Sequence, residues 1–286
     1  MRTPAENARL ALLLEVAGTP KPGNVDRHRD LPELRFEHFL AGAVGASEGL
    51  ALAESGTAIG DAFERAVAGM ADQGGDNTQF GALALLVPLV RTAADCDRRP
   101  TPEAASRTVE STTVADAVAF YRAFEHVDVF VDEPPAEGAV PDVRRGGEAA
   151  AELEANGTTL ADVMAAGAPG DDVAREWTCG FERSFAAADR LAAADGPLTD
   201  RAADAFLALL AERPDTLVAS RRGDEVAEEV SGRARELRRT DALAADPDRV
   251  EAFADELVAR GINPGTTADL VAAGLFVALE NGVIEP

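Results

Sequence analysis

Helix signals follow one another almost without interruption along this chain of 286 residues. Thr3-Pro4-Ala5-Glu6 supplies an N-cap, a proline at the first helical position and an acid at the third, and Leu10, Leu13, Leu14 and Ala17 then recur as an apolar stripe. Gly18 and Pro20 end that helix. Comparable patterns occupy 36–54, 58–72, 78–94, 102–109, 114–127, 147–155, 159–166, 171–194, 200–212, 224–240, 248–260 and 267–281, with Gly, Pro, Ser, Thr and Asp at the joins. Only Val127-Asp128-Val129-Phe130-Val131 alternates as a strand does. The lack of βαβ alternation argues against a Rossmann or barrel fold, and the pattern predicts an all-α bundle of roughly ten or more helices. No Ser/Gly linker, charge block or internal repeat cuts the chain, so residues 1–286 are expected to form a single domain.

Charge narrows the partners. Acidic residues outnumber basic ones 51 to 27, the net charge is −24 and the pI is about 4.4. This is the profile of a salt-adapted cytosol: at molar salt the Debye length falls to about 3 Å, and a self-repelling acidic surface serves solubility. Nucleic acid and anionic membrane are poor partners for such a surface. Cys96 and Cys179 lack CxxC or Cys/His spacing, which argues against a disulfide framework or a zinc site and fits a reducing compartment. The N-terminus carries no basic n-region with a long apolar h-region, and the strongly apolar run Phe80 to Val90 is too short to span a membrane. A soluble, cytoplasmic protein is expected. The apolar helices Phe39 to Leu52 and Gly81 to Val90 read as core, although a homodimer is compatible with them.

Lys21 is the one lysine among 27 basic residues, and it sits in the turn Thr19-Pro20-Lys21-Pro22-Gly23-Asn24-Val25. A compact, rotatable ammonium suits gripping phosphate as a point charge. Asp26, His28 and Asp30 follow, and the His-x-Asp pair suits metal ligation or proton transfer. Glu15 and Glu48 lie on largely apolar helical stretches, where a carboxylate either faces solvent at the stripe's edge or needs a buried partner. In Gly74-Gly75-Asp76-Asn77-Thr78-Gln79-Phe80-Gly81 a glycine pair opens the apolar helix, a natural phosphate site at a positive dipole end with Asp76 placed to hold Mg²⁺. Asp76 or Asn77 can equally be a plain cap. It is not a Walker motif. Asp215-Thr216-Leu217-Val218-Ala219-Ser220-Arg221-Arg222 combines a carboxylate with guanidinium groups, and Gly265-Thr266-Thr267-Ala268-Asp269 places hydroxyls and a carboxylate at the start of the last helix. For both, a cap or surface ion pair is the alternative to a Mg²⁺–phosphate contact.

These segments together resemble the triphosphoribosyl-dephospho-CoA synthase family, ATP:dephospho-CoA triphosphoribosyltransferases. The likeness runs over most of the chain, on Glu15 with Pro20-Lys21-Pro22-Gly23, His28-x-Asp30, Gly75-x-Asn77-Thr78-x-x-Gly81, Asp215-Thr216-x-Val218-x-x-Arg221 and Gly265-x-x-Ala268-Asp269-Leu270. The resemblance implies an all-α fold and transfer of a triphosphoribosyl group from ATP to the ribose hydroxyl of dephospho-CoA or a related acceptor, with adenine leaving. It implies that Lys21 and Arg221 hold phosphates and that Asp76, Asp215 and Asp269 ligate Mg²⁺. Gly75, Asn77, Thr78 and Thr267 would complete the nucleotide site, and Glu15, His28 or Asp30 would carry the proton or face the oxocarbenium ion. Gln79 and Phe80 stand where the family commonly has His and Lys, Asn24 where Leu is common, and Leu217 where Asn is frequent. The loss of that central cation keeps two other readings open: an all-α Mg²⁺-dependent nucleotide hydrolase, and a nucleotide-binding protein without turnover.

Overall fold

The computed structural model describes residues 2–73, 77–96, 99–132 and 140–286. The first half builds α1 (Pro4–Ala17), α2 (Phe36–Gly45), α3 (Ser47–Glu54), α4 (Ile59–Ala71), α5 (Phe80–Asp95), α6 (Pro102–Glu110) and α7 (Val114–Ala123). A 3-10 segment at Val143–Ala149 precedes α8 (Ala150–Asn156), α9 (Leu160–Gly167), α10 (Asp172–Thr178), α11 (Glu182–Ala193) and α12 (Leu198–Glu212). The chain closes with α13 (Thr216–Arg222), α14 (Asp224–Arg239), α15 (Ala242–Ala245), α16 (Pro247–Ala259) and α17 (Gly265–Glu280). The all-α expectation holds: among the described residues the one β pairing is the isolated bridge between Asp26 and Arg29.

The last helix is the axis of the molecule. Every residue of α17 except Gly265 and Asp269 is buried, and α11, α1, α5 and α12 pack around it. A helix apolar on all sides has to sit in the middle, because no face of it gains from water. Gly274 lets α11 in close, since a Cβ there would stand 2.6 Å from the Cβ of Ala187.

Helix α5 is the second buried rod, and it carries Pro88 inside it. A proline in a helix interior frees the carbonyl four residues back. Here that carbonyl, on Ala84, accepts a hydrogen bond from the indole Nε1 of Trp177 at 3.1 Å, which offsets the loss and locks α10 against α5.

Several local expectations are corrected. The stripe that α1 buries is Ala8, Ala11, Leu12, Glu15 and Val16, while Leu10, Leu13 and Leu14 pack only partly buried at its edges. Only the second half of α1, from Leu10, is apolar on nearly every side, and α1 packs against α17. The run 36–54 breaks at Ala46 into α2 and α3, where Gly45 and Gly69 let α2 and α4 touch backbone to backbone. The run 171–194 breaks at Cys179–Phe181, because Glu176 accepts from Arg183 N and from Ser184 N and Oγ and so starts α11 anew. Val127–Val131 forms no strand; Val127 and Val129 pack against the core as irregular backbone, since a lone strand has no ladder to join. No helix among the described residues is long and apolar enough to cross a membrane.

Candidate active site

Four helix starts meet at one end of α17. Asp215, the N-cap of α13, accepts from Thr267 N and Thr267 Oγ1, both at 2.7 Å, and from Val218 N at 3.1 Å. Thr216 Oγ1 donates to Thr266 Oγ1 at 3.1 Å and accepts from Asp172 N at 3.3 Å, which ties the start of α10 to those of α13 and α17. Asp172 is itself clamped by Arg183 and by Arg213, the latter at 3.1 Å. The fourth start is that of α5, reached by Asp269.

Asp269 sits where α5 begins. Its carboxylate accepts from Ala82 N, and a Cβ added at Gly81 would collide with Asp269 Oδ2. The residue is only partly buried, the one polar opening along the first turns of α17. Burial drives its carboxyl well above the usual carboxylate range, and the nearby charges of Glu15, Asp215 and Asp171 add to the shift. Burial likewise raises Glu15 and Asp215, against Lys21 in the first case and against the donors of Thr267 in the second. Asp171, the N-cap of α10, reaches solvent at the rim; even so, desolvation, with Asp172 and Asp215 nearby, pushes it up to about 6. Four acids therefore share one region in which carboxylate charge outweighs cations. Excess desolvated negative charge of this kind is what a cationic ligand relieves.

The other wall is the loop between α1 and α2. Lys21 is completely buried, and its Nζ pairs with Glu15 and donates to Asn24 Oδ1 at 3.2 Å. Asn24 Nδ2 donates to Asn263 Oδ1 at 2.8 Å, joining this loop to the segment before α17. Gly23, at a φ of 77°, presses against the carbonyl of Ile262, a contact only a residue without Cβ permits. Asp26, also fully buried, accepts from Thr19 Oγ1, Lys21 N, His28 N and Arg29 and so fixes the loop's shape.

The residues expected from sequence thus divide. Glu15, Lys21, Asp215, Thr267 and Asp269 converge. Lys21 faces a buried carboxylate rather than an open phosphate subsite, since an ammonium without solvent needs that partner. His28 and Asp30 are exposed on the loop, and Asp30 Oδ1 caps Phe36 N at 2.8 Å. Arg221 is exposed with its guanidinium 4.8 Å above the Phe130 ring, at the far end of α13 from Asp215, about 9 Å along the axis. Asn77 Oδ1 accepts from Phe80 N at 3.0 Å, a capping role, while Thr78 turns its hydroxyl toward α2. Gly75 and Asp76 lie outside the described residues. Glu48 is a surface partner of Arg65. Phe80, where the family commonly has a lysine, is buried edge-on against Phe63, Phe120 and Phe124. Asp171 was not singled out by sequence, because Gly170-Asp171-Asp172 reads as an ordinary helix cap.

No group of three His, Cys, Asp or Glu side chains among the described residues is arranged to hold a metal by itself. A Mg²⁺ site does not require one, since that ion commonly takes one or two carboxylates and fills its shell with water and substrate phosphate.

Comparison with known proteins identifies the family. The model of the ATP:dephospho-CoA triphosphoribosyl transferase family (CitG) matches residues 1–285. A crystal structure from Archaeoglobus fulgidus, described as that of a triphosphoribosyl-dephospho-CoA synthase, superposes with a TM-score of 0.69 at 26% identity, over 85% of this chain and 99% of that one. No curated protein matches significantly. The chain is an enzyme, a transferase, and belongs to the ATP:dephospho-CoA triphosphoribosyl transferase family.

Proposed function

We propose that the protein transfers the 5-triphosphoribosyl group of ATP to the ribose hydroxyl of dephospho-CoA or a close relative, with release of adenine, and that the reaction depends on Mg²⁺. The observation that carries this reading is the meeting of two long helix starts, α5 and α17, with the desolvated acids Glu15, Asp215 and Asp269. Helix starts favour the triphosphate, whereas bare acids repel it. The two fit together when a divalent cation lies between them.

Asp269 is the carboxylate that would hold Mg²⁺ or its water shell; the ion would offset phosphate charge there. Asp215 is already bound to three donors and serves to fix the starts of α13 and α17. When the bond from ribose to adenine breaks, positive charge develops on the sugar, and the Glu15 carboxylate supplies the opposing charge. Lys21 is a positioning residue that holds Glu15 ionised and oriented. Asp171, at the solvent edge, accepts the proton of the attacking hydroxyl, and the departing adenine takes up a proton from water. Buried acids make the ligand-free protein less stable and prepare it for the charged transition state, a common trade at active sites.

Chromatography of purified protein in high salt with ATP, with and without Mg²⁺ and dephospho-CoA, tests the reading. Adenine release that needs both supports transfer. Release with water alone would instead establish a hydrolase, and binding of ATP without any adenine would establish a nucleotide-binding protein.

A further inference from the structure

Gln79 is 3% exposed, and neither its Oε1 nor its Nε2 has a hydrogen-bond partner among the described residues. The hydroxyl of Thr78 beside it is equally unpartnered. Both turn toward Gly42 of α2: a Cβ there would lie 2.8 Å from Thr78 Oγ1 and 3.0 Å from Gln79 Oε1, with Met70 forming the apolar wall at 3.3 Å. Three orphaned polar atoms in one place destabilise a folded chain, each by about 1–3 kcal/mol. Such a cluster persists when something else uses it.

The position favours a neutral ligand group. Gln79 immediately precedes α5, whose first turn receives Asp269, so the cluster adjoins the acidic centre. On the other side, Phe39, one turn before Gly42, packs with Val16 and Val25, the neighbours of Glu15 and Asn24. A phosphate offers only acceptors, which would face the Gln79 carbonyl unfavourably. A carboxamide matches a group that presents one donor beside one acceptor. The adenine edge, an exocyclic amino group next to a ring nitrogen, is such a group, and paired contact with it is an established use of glutamine. On the edge made by N6 and N7, guanine instead shows two acceptors, O6 and N7, and would leave Oε1 opposed.

We propose that Gln79, assisted by Thr78, is the specificity-determining residue that reads the adenine base of the nucleotide donor. The inference rests on the transferase reading for the identity of that donor.

Equilibrium binding tests it on the intact protein. Gln79→Met keeps the volume and removes the amide, so the ligand-free protein should melt at a higher temperature. ATP should bind about tenfold to a hundredfold more weakly, and the preference for ATP over GTP should collapse. Wild-type protein supplies the second measurement: 7-deaza-ATP, which lacks the ring nitrogen of that edge, should bind about tenfold more weakly than ATP, and 1-deaza-ATP, which keeps it, should bind like ATP. A higher melting temperature with unchanged ATP affinity, or equal binding of 7-deaza-ATP and ATP, overturns the proposal and shows Gln79 to be an unsatisfied core amide. If wild-type protein releases adenine yet fails those binding tests, only this inference falls. If it binds no ATP at all, the transferase reading falls with it.

Discussion

The carboxylate of Asp269 in α17 occupies the space that a side chain on Gly81 in α5 would fill, and it accepts the N–H of Ala82 there. Two central helices therefore meet start to start through one acid. The requirement for glycine at 81 and for a carboxylate at 269 are one constraint.

Gly81→Ala should separate that contact. Because the obstructing atom belongs to a carboxylate pinned by Ala82, the change is expected to cost about 1–3 kcal/mol, read as a lower urea midpoint, and to reduce nucleotide affinity in parallel. A variant with unchanged stability and unchanged affinity would show that Asp269 is free to move aside.

Asp269→Asn should do the reverse to the ligand-free protein. An acid whose folded pKa is raised contributes stability below its unfolded value of 3.8, and that contribution is lost as pH rises through the folded pKa. Removing the charge should thus raise the melting temperature at neutral pH, with the gain shrinking to nothing in acid below 3.8. Turnover should fall by about a hundredfold or more. Thermal melts across pH, with and without Mg²⁺, check the sign.

Lys21 and Glu15 form a buried pair, so truncating one partner strands a charge. Lys21→Met alone should cost about 3–5 kcal/mol, and adding Glu15→Leu should recover most of that while leaving the enzyme inactive. Denaturant titrations of the two single variants and the double variant measure the coupling directly.

Asp171 should govern the acid side of the rate profile. As the base it acts deprotonated, so turnover should climb with pH through about 6 and then level off. Asp171→Asn keeps the cap on Val173 and should flatten that climb while lowering the rate.

Much of this was legible in the sequence, for physical reasons. Helix caps such as Thr3 and Thr101 and the absence of strand alternation are local signals, so the all-α architecture could be read directly. Glu15 could be flagged because a carboxylate on an apolar stretch demands a partner, and Asp215, Thr267 and Asp269 because they stand at helix starts. What could not be read was which side of the apolar half of α1 turns inward: α1 buries Ala8, Ala11, Leu12 and Glu15, not the Leu13 and Leu14 edge. Nor does one sequence show that Trp177 would seal the carbonyl freed by Pro88, or that the six residues of helix beyond Asp215 would carry Arg221 away from it. Asp171 escaped notice because its surroundings come from residues more than forty positions away, Asp215 and Asp269.

The central claim, triphosphoribosyl transfer at the Asp269 centre, is tested most directly by the mass of the acceptor after incubation with ATP and Mg²⁺, for the wild type beside Asp269→Asn. The wild type should convert dephospho-CoA to a species heavier by one triphosphoribosyl group, with one adenine released per adduct, and the variant should form the same adduct far more slowly. Dephospho-CoA of unchanged mass despite adenine release, or equal adduct formation by both proteins, would contradict it.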